Sequence, residues 1–277
     1  MSTFRSMGCE ISVGPGVPVE PVRELFDTRD RRFSRFLPNS ELSRVNATPS
    51  GVTLVSEELA SMLDLALGAA RATGGLVTPA VGGALLAAGY DRDFASLPLD
   101  GDAVEPVGVP SLESLSLRGR MLLRAAPVVL DLNGVVKGKT VDDALALAGR
   151  GWISAGGDIA TVVPLAVGLP GGGAITLDGG GLATSSLTVR SWLRGGVRRH
   201  HLIDPATGEP ARTPWRDVSV AAQTCVAADV AAKAALLLGP AGPSWLDRRG
   251  LPGRFVDGRG AVHLNEHWRQ ATAALAA

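Results

Sequence analysis

Cysteine is scarce: Cys9 and Cys225 are the only two in 277 residues, and they stand far apart. They have neither the spacing of a zinc site nor the density of a disulfide framework. Lysine is nearly as rare, since only Lys137, Lys139 and Lys233 stand among the 27 basic side chains. Those 27 are matched by 27 acidic residues, and this balance excludes a generally basic surface for nucleic acid. No apolar run reaches the roughly 18 residues of a membrane span, and Met1 to Gly8 holds no apolar leader core. The expectation is a soluble, cytoplasmic protein without membrane insertion. The general catalytic signatures are missing too: Gly-x-Ser-x-Gly, His-Glu-x-x-His, a Walker loop, and Gly-x-Gly-x-x-Gly after a strand.

What is present is ordinary globular material, 45% hydrophobic and 19% charged, in a chain long enough to bury a full core. Gly8 to Val13 alternates as a half-buried strand, and a helix is expected from about Val22. Ser56 caps a second helix, with Leu59, Met62, Leu63 and Ala66 in register, and Gly74-Gly75 stops it. Asp91 to Pro110 reads as a surface excursion. Strands are expected at Trp152 to Ala155, Ala160 to Val167, Ala174 to Leu177, Val197 to Ile203 (carrying His200 and His201) and Val218 to Ala222. Two more strand-like pieces follow at Arg254 to Val256 and Ala261 to Leu264. Asp204-Pro-Ala-Thr-Gly208 is a turn, which makes Asp204 a turn former. A helix runs from about Val226 to Leu238 and stops at Gly239-Pro240, and a short one lies near Trp245. Strands outnumber helices and several are consecutive, so the class is α+β. No internal repeat occurs, and residues 1–277 are expected to form a single domain.

The stretch Val128 to Asp143 is the most suggestive. It reads as an apolar strand, Val128 to Leu132, broken at Asn133-Gly134 and Gly138, then a helix entered through Thr140. A strand, a glycine-bearing turn with basic residues and a helix start present backbone N–H groups to an anion. Asp131, inside the apolar run, requires a ligand or a structural hydrogen bond.

Four ordered pieces carry a resemblance: Phe33-Ser-Arg-Phe-x-Pro-x-Ser-Glu-Leu-Ser-Arg-Val-Asn46, Asp131-Leu-Asn-Gly-Val-Val-Lys-Gly138, Ala155-Gly-Gly-Asp-Ile159, and His201-Leu-Ile-Asp-Pro-x-Thr-Gly208. Together with Ala228-Asp229 they resemble the FAD:protein FMN transferase (ApbE-type) family, from Met7-Gly8 to the helix around Asp229. The resemblance implies mixed sheets with packed helices, forming two interleaved lobes around a flavin cleft. It implies cleavage of FAD, transfer of FMN to a Ser or Thr hydroxyl of an acceptor flavoprotein, release of AMP, and assistance from Mg²⁺. Gly134, Lys137 and Gly138 then become candidates for holding the pyrophosphate. Gly156, Gly157 and Ser185 are further FAD candidates; Asp158 either contacts FAD or caps the turn, and Asp131 joins them as a possible ligand. His201 is the candidate base for the acceptor hydroxyl, its ordinary pKa lying near neutrality. Without the resemblance it would read as a strand histidine at a lobe interface. Lys139 reads as solvent-facing. Asp229 is the expected metal ligand, with the Val136 backbone as a second.

Several positions depart from the family pattern. Thr78 stands for an Asp, Ala80 for a Thr, Asn133 for a Gly, and Ser186 for the Gly of Thr-Ser-Gly. The largest departure is Lys233, where the family has a Thr that helps to bind magnesium. An ammonium group offers Mg²⁺ no oxygen. Three readings follow: a helix ion pair with Asp229, a fixed charge in the metal's place that makes Lys233 catalytic, or a block that leaves only flavin binding. The function classes accordingly are an FMN transferase, a flavin carrier or sensor, and an FAD pyrophosphatase yielding FMN and AMP.

Overall fold

The structure is a computed structural model that describes residues 1–274. It divides into two compact units interleaved in sequence: residues 1–26, 137–187 and 212–277 form the first, and 27–136 and 188–211 the second.

The first unit is built on an eight-stranded sheet. Its order is Ser2–Ser6, Cys9–Val13, Trp152–Ala155, Asp158–Thr161, Gly180–Ser186, Trp215–Ala222, Gly253–Asp257 and Val262–Leu264. Each neighbouring pair is antiparallel, as are the pairings of the smaller sheets, so the α+β class holds with antiparallel rather than mixed sheets. Side chains alternate between sheet faces. Ile11, Val13, Ile153, Ala155 and Ala160 meet Val22 and Phe26 of the helix Val19–Phe33, and Val141, Ala144 and Leu145 of the helix Val136–Ala148. Ile159 and Leu182 belong to a separate cluster with Val167, Leu177 and Trp268. Trp268 lies on a helix, Glu266–Ala274, that the periodicity does not announce. The expected strand at Ala160 to Val167 is two strands, Asp158–Thr161 and Leu165–Gly168, because Thr161 Oγ1 bonds both the Val163 carbonyl and the Val163 N–H and turns the chain before Pro164.

The helix Cys225–Leu237 is rich in alanine, which lets it lie close on the strands Gly180–Ser186 and Trp215–Ala222. A methyl group on Gly181 would come within 2.3 Å of the Cys225 nitrogen, so a side chain there is excluded. Among the described residues no helix is long and apolar enough to cross a membrane.

The second unit holds the helices Glu41–Ala47 and Glu57–Ala72, a three-stranded sheet in the order Gly51–Leu54, Met121–Arg124, Leu115–Arg118, and the hairpin Ser191–Arg194 with Val197–His200. Ser56 caps the second helix through Leu59 N–H, as expected. One core gathers Ala84, Leu85, Tyr90, Trp192 and Ile203, in which Tyr90 stacks between Phe36 and Trp192. The run Val128 to Leu132 corrects an expectation: it is buried but is not a strand. Asn46 takes the place of a neighbouring strand there, accepting from Leu130 N–H at 2.8 Å and donating to the Leu130 carbonyl at 2.9 Å. Asp131 N–H donates to the Pro79 carbonyl.

Candidate functional site

Of the residues singled out in the sequence, Lys137, Gly138, Gly156, Gly157, Asp158, Ser185, Asp229 and Lys233 fall in the first unit. Asp131, Gly134, Val136 and His201 fall in the second.

In the first unit a tight hairpin sets the geometry. Ala155 pairs with Asp158, and the two residues between them, Gly156 and Gly157, have φ of +56° and +95°. Two consecutive positive φ values define the hairpin turn that suits the twist of its strands, which is why two glycines stand there. The turn delivers Asp158, 1% exposed, to Lys137. The Lys137 ammonium donates to Asp158 Oδ2 and, at 3.2 Å, to the Ala155 carbonyl. An ammonium has three donors, so one is left for a ligand. Burial holds the Lys137 pKa below the usual lysine range; Asp229 opposes that shift and Lys233 reinforces it. The four charged groups therefore share one electrostatic neighbourhood.

Asp229 and Lys233 lie one turn apart on the helix Cys225–Leu237, with side chains 3% and 15% exposed. The Lys233 ammonium donates to Asp229 Oδ1. Asp229 Oδ2 and Asp158 Oδ1 are buried without a hydrogen-bond partner. Ser185 is buried in the strand Gly180–Ser186, opposite Val218.

The helix carrying Lys137 starts at Val136, four residues before the expected entry at Thr140. Gly138 is therefore inside the helix, not in a turn, and its role is close packing. A methyl group there would come 2.8 Å from Val226 Cα. One turn on, Asp142 accepts from the Cys225 and Val226 N–H groups at 2.7 and 2.9 Å. Thr224 satisfies Ala227 and Ala228 N–H. The amides of Cys225, Val226 and Ala227, which open that helix, are thus met by protein rather than presented to a phosphate. Lys139 pairs with Asp143 on a part-exposed face.

In the second unit Asp131 is engaged by its own surroundings. Arg35 Nε donates to Oδ2 at 2.6 Å, and Asn133 N–H donates to Oδ1 at 2.7 Å. Arg35 also donates to the Tyr90 carbonyl and lies over the Phe36 and Tyr90 rings. Asp142, in the expected first helical turn, is assigned no role by the sequence; Arg35, read there with its neighbours as an exposed basic helix end or a phosphate contact, is instead buried against Asp131. Gly134 lies in the turn before the helix, where a methyl group would meet Val77 at 3.2 Å. Val136 N–H donates to the Leu132 carbonyl. The strand Val197–His200 ends one residue short of His201, which sits in the following bend, half-buried. His200, on the strand itself, is buried and donates from Nε2 to the Ala211 carbonyl. The turn at Asp204 forms as expected, with Gly208 N–H on the Asp204 carbonyl and Ala206 N–H on its carboxylate.

The profile of the ApbE family matches residues 7–255. The chain belongs to the ApbE family. An FAD:protein FMN transferase of Treponema pallidum is 28% identical over 258 residues, covering 80% of this chain and 71% of that protein. One from Rhodobacter capsulatus is 31% identical over 271 residues, and the match covers 86% of this chain but only 51% of that longer protein. Among solved structures, the ApbE protein of Thermotoga maritima superposes with a TM-score of 0.85 at 23% identity, covering 97% of both chains. The Vibrio cholerae flavin transferase ApbE gives 0.74 at 21%, again over 97% of both. These likenesses establish the ApbE fold for this chain.

The magnesium that the family resemblance implies does not suit the residues present. Among the described residues no three His, Cys, Asp or Glu side chains cluster. Asp229 already holds an ammonium where a metal would need an oxygen-rich, octahedral shell.

Proposed function

We propose that the chain is an FAD:protein FMN transferase that works as one functional unit, cleaving FAD, placing FMN on a Ser or Thr hydroxyl of an acceptor protein and releasing AMP. The observation that carries this reading is the part-buried Lys137, held by Asp158 and the Ala155 carbonyl within two of the ordered family motifs. Its support comes from the family match over residues 7–255 and the names of the curated relatives.

Phosphoryl transfer needs alignment and neutralised charge more than covalent help from the enzyme. Lys137 supplies positive charge on a fixed tether and keeps one donor for the pyrophosphate, and Gly134 is a further candidate for holding it. Asp131 acts at one remove: bound to Arg35, it shapes the turn leading to the helix. In the transfer step the acceptor hydroxyl oxygen bonds to the phosphorus of the FMN half. The phosphorus–oxygen bond to AMP breaks, its electron pair leaving on AMP. The hydroxyl proton passes to His201 as general base.

The second reading is a flavin carrier or sensor, favoured by the occupation of Asp229 by Lys233. Incubation with FAD and an acceptor peptide separates the readings. Covalent fluorescent flavin on the peptide is expected. Free FMN and AMP without labelling would instead identify a pyrophosphatase, and a shifted flavin spectrum with no product would identify the carrier. Failure to bind FAD at micromolar concentration would overturn the proposal.

A further inference from the structure

Asp229 and Lys233 form an ion pair that differs in kind from an exposed pair at the same spacing. Both side chains are largely withdrawn from water, and the ammonium meets Asp229 Oδ1 directly. A buried carboxylate stripped of its counter-charge is strongly disfavoured, so the lysine is integral to the site rather than an ornament of the helix surface. The neighbourhood is also balanced. Lys137 and Lys233 carry two positive charges, Asp158 and Asp229 carry two negative ones, and each carboxylate has one oxygen on one lysine. A divalent ion bound at Asp229 would sit beside the Lys233 ammonium, and like charges at that separation in a partly dry site repel strongly.

We propose that Lys233 is the resident cation of this site, so that the chain handles FAD without a divalent metal. The inference rests on the flavin reading above and specifies how its charge is neutralised. A tethered ammonium provides one positive charge at a fixed place. It contributes up to three N–H donors, of which Asp229 uses one, leaving others for phosphate oxygens. It cannot be removed by a chelator. Lysine suits this place better than the arginine that dominates the chain, because an ammonium is a compact point charge and a guanidinium is a planar fork.

The test is metal binding and flavin handling in protein stripped with EDTA. Titration of MgCl₂ into the wild-type protein, followed by calorimetry, is expected to show no saturable binding. FAD affinity and FMN transfer are expected to be the same in EDTA and in millimolar Mg²⁺. Lys233→Thr returns an oxygen ligand to the helix, and it is expected to gain saturable Mg²⁺ binding. Its FAD handling should then depend on Mg²⁺ by more than about tenfold, the lower end of what altering the support of a metal site does. The added mutation Asp229→Asn should abolish that gained binding. Saturable Mg²⁺ binding by the wild type that Asp229→Asn removes would overturn the proposal, as would loss of wild-type FAD affinity in EDTA. Should Lys233→Thr not fold, the wild-type titration and the EDTA comparison decide the matter alone. A wild type that binds no FAD in either buffer sinks the flavin reading, and the Mg²⁺ titration still reports on the cation site.

Discussion

The carboxylate of Asp142 accepts from two successive backbone N–H groups, those of Cys225 and Val226, across more than 80 residues of sequence. It caps a helix from outside that helix and fixes the helix bearing Lys137 against the one bearing Lys233. Asp142→Ala would leave both part-buried donors without that partner. The expected loss is about 2–3 kcal/mol of stability, the sum of a lost cap and an unsatisfied buried donor. Asp142→Asn, which keeps one acceptor oxygen, should lose about half as much. Urea unfolding monitored by circular dichroism measures both, and equal stability of Asp142→Ala and wild type would refute the capping role.

Two helical glycines should respond to alanine with opposite signs. Gly68, inside the helix Glu57–Ala72, has open space where a Cβ would go, so Gly68→Ala should stabilise by up to about 1 kcal/mol through helix propensity. Gly138 faces Val226 Cα at 2.8 Å from its would-be Cβ, and backbone cannot step aside as a side-chain tip can. Gly138→Ala should therefore destabilise by about 1–3 kcal/mol, as overpacking does, despite the same gain in propensity. Thermal melts of the two variants give the comparison, and stabilisation of both would show that the two helices slide freely.

His200 gives stability a dependence on acid. Burial lowers its pKa in the fold, against the smaller opposing influence of its bond to the Ala211 carbonyl. The unfolded chain takes up a proton near the ordinary value of 6.5, whereas the fold resists protonation until lower pH. The unfolded state thus binds more protons in that window, and stability falls as pH drops through 6.5 toward the folded pKa. Above 6.5 the contribution is constant. His200→Gln, which can still donate to Ala211, should flatten this part of the profile. Melting temperatures read from pH 7.5 to 5.5 decide it, and parallel profiles would place the loss on other groups.

Local signals made much of this architecture legible. Ser56 before two glutamates gave a helix start, and Asp204 to Gly208 gave a turn. Each is decided within a few residues. Where the decision is made elsewhere in the chain, local reading fails. Val128 to Leu132 has the composition of a strand, yet its hydrogen bonds go to Asn46, 84 residues away from Leu130. Gly138 has the composition of a turn, yet it lies inside a helix, where the missing side chain admits Val226.

The candidate site divides in the same way. The residue types at Lys137, Asp158, Asp229 and Lys233 are visible in the sequence, and the i, i+4 spacing of the last two gives their pairing as one of three readings. The partner of Lys137 was not predictable from spacing, because a hairpin 18 to 21 residues downstream supplies it. Asp131 called for a partner, but nothing near it in sequence named Arg35, 96 residues earlier.

The strand order of the large sheet bears on how the chain is made. Its first two strands, Ser2–Ser6 and Cys9–Val13, find their neighbour only when Trp152–Ala155 has been synthesised. The strand Gly180–Ser186, paired on one side with Asp158–Thr161, meets its other neighbour at Trp215–Ala222, and Gly253–Asp257 and Val262–Leu264 complete the far side. Pairing across such separations forms slowly, since long loops must close before any contact rewards them. Until Trp152–Ala155 has been made, the hairpin of Ser2–Ser6 and Cys9–Val13 therefore stands with one edge unpaired.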